Sequence, residues 1–179
     1  MYTPHDTFLD IGAYDGDTVA RFVKLSDNSY KKIIAVEPDK KSFKKAERNL
    51  SDVKNLTLYN TLLSESVGLS PFISGRGRGN TAAEEGGKET VATTIDALLS
   101  GDEVTIIKID AEGAEEKILN GGRKTISKYK PKLILSVYHR IDDFYRLLRK
   151  VKEINPSYSK FTLRISHSLP DWDIVLIVE

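Results

Sequence analysis

Cysteine is absent from the 179-residue sequence, which excludes disulfides, thiolate zinc or iron–sulfur sites and any cysteine nucleophile. Histidine occurs only three times, too few for a histidine-rich metal centre. Charge of one sign is missing too: 27 Lys and Arg stand against 26 Asp and Glu, a formal net charge of +1. A balance this close provides no field for holding a polyanion, so no nucleic-acid partner is expected. No apolar run approaches the roughly 20 residues of a membrane span, so no membrane partner is expected either. Residues 1–6 carry neither a basic nor an apolar segment of the kind that directs secretion, and a cytoplasmic location follows as the expectation. What is present is a 40% apolar content. A chain of this size buries about 70% of its surface on folding, enough for one core, and one domain over residues 1–179 is expected.

Apolar runs alternate with amphipathic stretches. Residues 8–11, 32–36, 56–63, 104–109 and 132–137 read as strands, and helical periodicity follows the first two and the fifth. The helix from Asp17 presents Val19, Phe22 and Val23. The next is capped by Asp39 and presents Phe43, Ala46 and Leu50. A short helix around residues 115–120 stops at Gly121 and Gly122. The clearest helix spans residues 141–154, with Ile141, Phe144, Leu148 and Val151 as its buried stripe. This order predicts an α/β fold with a doubly wound, mostly parallel sheet. Residues 161–166 and 172–178 are joined by too short a link for a crossover and form a C-terminal antiparallel hairpin, for seven strands in all. A side excursion over residues 68–94 holds two further strands and a glycine-rich loop at 75–88, either a solvated linker or a functional segment.

Such sheets bind ligands at the carboxyl ends of their strands. Four polar segments fall there. The loop Asp10-Ile11-Gly12-Ala13-Tyr14-Asp15-Gly16 follows the first strand, and Glu37 ends the second. Asp110 and Glu112 end the fourth, and Tyr138 and His139 end the fifth. Gly12 and Gly16 let backbone approach a ligand. Their spacing is not the Gly-x-Gly-x-x-Gly of a nicotinamide cofactor site, and Asp15 and Asp17 disfavour a pyrophosphate. Asp17 is otherwise a plain helix cap. Glu37 suits ribose hydroxyls, or is a solvated turn acid. The Asp110/Glu112 pair suits a cation, a substrate hydroxyl or an ammonium group, unless one of them caps the next helix. It is a pair without a third ligand, so no metal is assigned. His139 is placed to take a proton near neutral pH, or is a hydrogen-bonded structural residue. His167 falls in the hairpin turn.

Four segments in order carry a resemblance: residues 8–17, residues 35–39, residues 91–98 and the run Ile107-Lys108-Ile109-Asp110-Ala111-Glu112-Gly113-Ala114-Glu115. The chain resembles the FkbM-type methyltransferases, a branch of the class I S-adenosylmethionine-dependent enzymes with a Rossmann-like fold. The last segment is the most specific, matching the family's Lys-x-Asp-x-Glu-Gly-x-Glu run. The resemblance implies S-adenosyl-L-methionine as cofactor and O-methylation of a carbohydrate or small-metabolite acceptor. It implies that Asp10, Gly12, Ala13, Tyr14, Asp15 and Gly16 surround the methionine part, Glu37 the ribose, and Leu63 and Ser64 the adenine. Asp110 and Glu112 would face the reacting centre, with His139 or one of those carboxylates as base. Arg78 and Asn80 of the glycine-rich loop would meet an anionic group on the acceptor. Tyr14 departs from the smaller residue common in the family, and many relatives carry a helical extension where this sequence has residues 1–6. Cytosine C5 methylation is excluded by the missing cysteine. Amino-group methylation is disfavoured by the missing Asn/Asp-Pro-Pro-aromatic run. A non-catalytic binding module of the same fold and, less favoured, a nicotinamide-dependent enzyme remain as alternatives. The oligomeric state is not legible.

Overall fold

Neighbouring residues on each central strand point to opposite sides, and both sides are apolar, so each strand must be covered twice. In the structure, a computed structural model describing residues 2–72, 88–165 and 174–179, they are. Strands β1 (Thr7–Ile11), β2 (Lys32–Val36), β3 (Leu56–Tyr59), β7 (Ile106–Ile109), β8 (Lys132–Ser136), β9 (Phe161–Ile165) and β10 (Ile174–Val178) make one sheet in the order β3-β2-β1-β7-β8-β10-β9. The first five are parallel, and β10 pairs antiparallel with both β8 and β9. Phe8, Ile33 and Ile106 pack against α1 (Asp17–Leu25) and α2 (Lys40–Asn49) through Val19, Phe22, Ala46 and Leu50. Leu9, Ile34 and Ile107 face the other layer, α3 (Ile95–Leu99), α4 (Glu115–Gly121), α5 (Arg123–Tyr129) and α6 (Asp143–Ile154). Strand order reverses between β1 and β7, which fixes the switch point where such sheets take ligands. None of the helices among the described residues is long and apolar enough to cross a membrane.

The sequence expectation needs four corrections. The third strand does not run through to Leu63. It ends at Tyr59, and Asn60 turns its amide onto the carbonyls of Glu37 and Pro38, at 2.8 and 3.0 Å. The remainder, β4 (Leu62–Leu63), joins the excursion strands β5 (Gly68–Phe72) and β6 (Lys88–Thr93) in a separate sheet of order β4-β6-β5. The Gly121–Gly122 pair does stop α4 as expected, but the sequence reading lacked the helix that follows it. Gly122 has φ −110°, not a left-handed cap, and α5 starts directly after it. The α3 helix was missed because it is five residues long; Thr94 caps it by accepting a bond from the Ala97 amide at 3.0 Å. Finally, Ile141 is fully exposed, and α6 starts at Asp143. The Asp143 carboxylate accepts from the Arg140 amide at 2.7 Å and from the Arg146 guanidinium at 2.6 Å, which sets the turn; Val151 is buried as expected, Phe144 and Leu148 pack at the edge of the core, and Leu147 and Ile154 join the buried stripe. The glycine-rich loop that joins β5 to β6 lies outside the described residues, and so does His167 in the hairpin turn.

Candidate functional site

The site begins with a register. Asp10 on β1 and Lys108 on β7 are direct cross-strand partners. Both side chains point to the α1/α2 side, in the place where Phe8 and Ile106 put apolar groups two residues earlier. A charge there survives only if paired. The Lys108 Nζ lies 3.1 Å from Asp10 Oδ1 and 3.8 Å from Asp110 Oδ2, and donates to the Gly12 carbonyl at 2.9 Å. Burial alone would pull the Lys108 ammonium down, but the Asp10 and Asp110 carboxylates more than reverse this and hold it above the ordinary lysine range. One cation thus ties the loop after β1 to the loop after β7. Asp10 is wholly buried beneath the loop in that pair.

Gly12 shows how close the two loops are. At φ 77°, a Cβ there would lie 1.8 Å from the Asp110 carbonyl oxygen, so only glycine fits. Beyond it the chain turns through Tyr14, itself left-handed at φ 50°, and Ala13 is fully buried. The turn is anchored by Glu37 at the end of β2. Its Oε2 accepts from the Tyr14 amide at 2.9 Å and its Oε1 from the Asp39 amide at 2.8 Å. Burial outweighs both bonds and raises Glu37 to about 7. Each carboxylate oxygen retains acceptor capacity after one such bond. The Tyr14 ring lies under Lys45 Nζ, 5.7 Å from its centroid. Asp15 offers its carbonyl to Asn49 at 2.9 Å. Gly16 caps α1 in the left-handed region with no side-chain cap, so Asp17 is the first helical residue, not the cap. Leu63 and Ser64 are buried at the seam with α4, where a Cβ on Gly121 would strike the Ser64 carbonyl at 2.1 Å.

The loop after β7 with the start of α4, and the loop after β8, bring three carboxylates around one imidazole. His139, its side chain 8% exposed, has Nε2 3.5 Å from both Asp110 Oδ1 and Glu112 Oε2, and Nδ1 3.0 Å from Glu115 Oε1. Glu115 is wholly buried at the start of α4, and the same oxygen takes the amides of Ala111 and Gly113 at 2.9 and 3.3 Å. No side chain caps this helix, so neither Asp110 nor Glu112 serves that purpose. Burial opposes the charge on His139, yet Glu115 first, then Asp110 and Glu112, bring it above the ordinary histidine range. Burial likewise opposes ionisation of Glu115, and His139 overcomes it, leaving Glu115 below the usual carboxylate range. Tyr138 donates its hydroxyl to Asp110 Oδ1 at 3.0 Å.

The loops of β1, β2, β7 and β8 therefore meet along one edge, with Leu63 and Ser64 beside them. Arg78 and Asn80 lie outside the described residues. Sequence reading missed Lys108, Glu115 and Asn60 as site residues, and it placed Tyr138 at this edge without giving it a role. A lysine inside an otherwise apolar strand was a legible signal for Lys108, and the final Glu of its motif for Glu115. Nothing in the pattern marked Asn60.

Comparison with known proteins gives three findings. A family profile described as the methyltransferase FkbM domain matches residues 10–158. The curated protein 2-O-methyltransferase NoeI of Sinorhizobium fredii (strain NBRC 101917 / NGR234) is 23% identical over 149 residues, covering 70% of this chain and 60% of that protein. Among solved structures, methyltransferase FkbM from Methylobacillus flagellatus KT superposes with a TM-score of 0.83 at 27% identity, over 100% of this chain and 44% of the other. SMU.1697c, a putative methyltransferase from Streptococcus mutans in complex with SAH, shares the fold at a TM-score of 0.58 and 12% identity, covering 98% and 88%. The chain thus spans 60% of the curated relative and less than half of the FkbM structure.

Proposed function

Because the chain belongs to the FkbM methyltransferase family, we propose that it transfers a methyl group from S-adenosyl-L-methionine to a hydroxyl oxygen of a carbohydrate or other small metabolite. The observation that carries this reading is the meeting, at one edge, of a bare glycine turn, a buried carboxylate at the end of β2 and an imidazole among carboxylates. The residues fit the cofactor. Glu37 retains acceptor capacity for a ribose diol. Three carboxylates around His139 suit a positively charged donor. Asp15 and Asp17 at the start of α1 make that helix a poor seat for the pyrophosphate of a nicotinamide cofactor. The structural neighbour complexed with SAH supports the same cofactor, and the 2-O-methyltransferase relative supports an oxygen acceptor.

When bound, the cofactor supplies a methyl group already activated by the positive charge on its sulfur. The protein's own work is alignment and proton removal. The Gly12 turn, locked by Lys108 and Glu37, holds one side. An attacking hydroxyl loses its proton to the group formed by His139, Asp110 and Glu112, with Glu115 beside the imidazole at Nδ1. The test is transfer of labelled methyl from S-adenosyl-L-methionine to a panel of sugars and hydroxylated metabolites, with wild type and His139→Ala. The variant is expected to lose about 10²–10⁴ in turnover while binding S-adenosylhomocysteine as well as wild type. Equal loss in both, or loss in neither, would refute the assignment.

A further inference from the structure

We propose that Asp110, Glu115 and His139 form a binding site for one divalent metal ion of the Mn²⁺ type. One donor atom from each of the three lies within 4.8 Å of the other two, a spacing that a single ion can span. The charge is in place. Asp10 is matched by Lys108, and Asp110, Glu112 and Glu115 then face one imidazole. Lys108 approaches Oδ2 of Asp110, while Oδ1, which accepts from the Tyr138 hydroxyl at 3.0 Å, lies on the imidazole side and keeps a lone pair for an ion.

The hydrogen-bond geometry gives an independent sign. The His139 side chain is more than nine-tenths buried, yet neither ring nitrogen makes a hydrogen bond. Nδ1 is 3.0 Å from Glu115 Oε1, close enough for a bond but wrongly angled for one. Glu115 Oε2, in a side chain with no exposure, has no hydrogen-bond partner either. Buried polar atoms left in this way are rare and call for an explanation. Donor atoms that crowd together without bonding each other are arranged as ligands converging on a shared centre. One imidazole with carboxylates, and no sulfur, selects ions of the Mg²⁺ to Mn²⁺ class over softer metals. The Ala111 and Gly113 amides that hold Glu115 Oε1 supply the outer support that ligating carboxylates need. Glu112 Oε2, 3.5 Å from Nε2, adds negative field at the rim. An ion here would polarise a coordinated acceptor oxygen, and with His139 then a ligand the proton would pass to the Glu112 carboxylate. That use rests on the methyl-transfer reading, whereas binding of the ion does not.

The experiment is a titration of the full chain with MnCl₂ followed by electron paramagnetic resonance, with electron spin-echo modulation read on the bound ion. One Mn²⁺ is expected to bind, with nitrogen modulation from an imidazole. Asp110→Asn should weaken it by about tenfold or more, and His139→Gln should abolish the nitrogen modulation. Glu116→Gln, whose partners are Arg146 and Lys150, should change nothing. Absence of stoichiometric binding at millimolar Mn²⁺, a bound ion without nitrogen modulation in wild type, or binding unaffected by both variants would overturn the site. The wild-type spectrum keeps the test valid should a variant not fold. A parallel titration with S-adenosylhomocysteine separates the two proposals: nucleoside binding without Mn²⁺ overturns the metal site alone, and Mn²⁺ binding without the nucleoside upholds it while counting against the cofactor reading.

Discussion

Replacing Glu37 with Gln should make both stability and ligand binding lose a dependence on pH. Glu37 is 6% exposed, and burial raises it from 4.5 to about 7. An acid raised on folding binds its proton more tightly in the folded chain, so folding is favoured at low pH. That advantage drains away as pH rises from the unfolded value through the folded one. Integrated between pH 5 and pH 8, the wild type should lose about 2.5 kcal/mol that the variant does not. The variant has its own cost. Glutamine offers one acceptor oxygen, so the Tyr14 or Asp39 amide goes unpaired, at about 1–3 kcal/mol. Glu37→Gln should therefore be the less stable protein at pH 5 and about equal to wild type at pH 8, by urea denaturation. Ligand binding adds a second readout. Ribose hydroxyls donating to Glu37 favour its ionised form, so S-adenosylhomocysteine should bind wild type about tenfold more weakly at pH 6 than at pH 8. In the variant that slope should vanish. A stability difference constant across pH, or an affinity flat across pH in wild type, would refute the reasoning.

Further changes probe the join between the loops after β1 and β7. Gly12→Ala should cost about 3–5 kcal/mol in urea denaturation, because its Cβ would meet the Asp110 carbonyl at 1.8 Å in a left-handed turn. Gly113→Ala, equally left-handed but with its nearest neighbour at 3.5 Å, should cost only about 1–2 kcal/mol, and equal costs would mean that the close approach is unimportant. Lys108→Met should destabilise by about 3–5 kcal/mol by leaving Asp10 buried and alone, and Asp10→Asn in that background should restore about 1 kcal/mol or more. No recovery in the double variant would show that Lys108 acts through packing.

The fold was legible because its layers follow from strands with apolar residues on both faces, and the alternation of Phe8 with Leu9 or Ile33 with Ile34 states this directly. What escaped was decided by single polar contacts. The Asn60 amide ends β3, and the Asp143 carboxylate starts α6 and exposes Ile141; neither contact has a periodicity. The site was legible in part for the same reason. Glycines and acids at strand ends announce themselves, and the topology gathers them. The Glu115–His139 contact joins residues 24 positions apart by the packing of α4 beside β8, and a carboxylate at a helix start looks like any first-turn acid. Lys108 is the lone charge in β7 and was passed over, because only the cross-strand register with Asp10 supplies its reason.

The central claim is that this edge binds S-adenosyl-L-methionine, and the most direct test is thermal unfolding with S-adenosylhomocysteine, with NAD as control. Ligand at 100 times its dissociation constant adds about 2.7 kcal/mol, worth roughly 5–10 °C for a domain of this size. The account predicts that shift with S-adenosylhomocysteine, none with NAD, and its loss in Glu37→Ala. A shift with NAD, or none with S-adenosylhomocysteine, would contradict it.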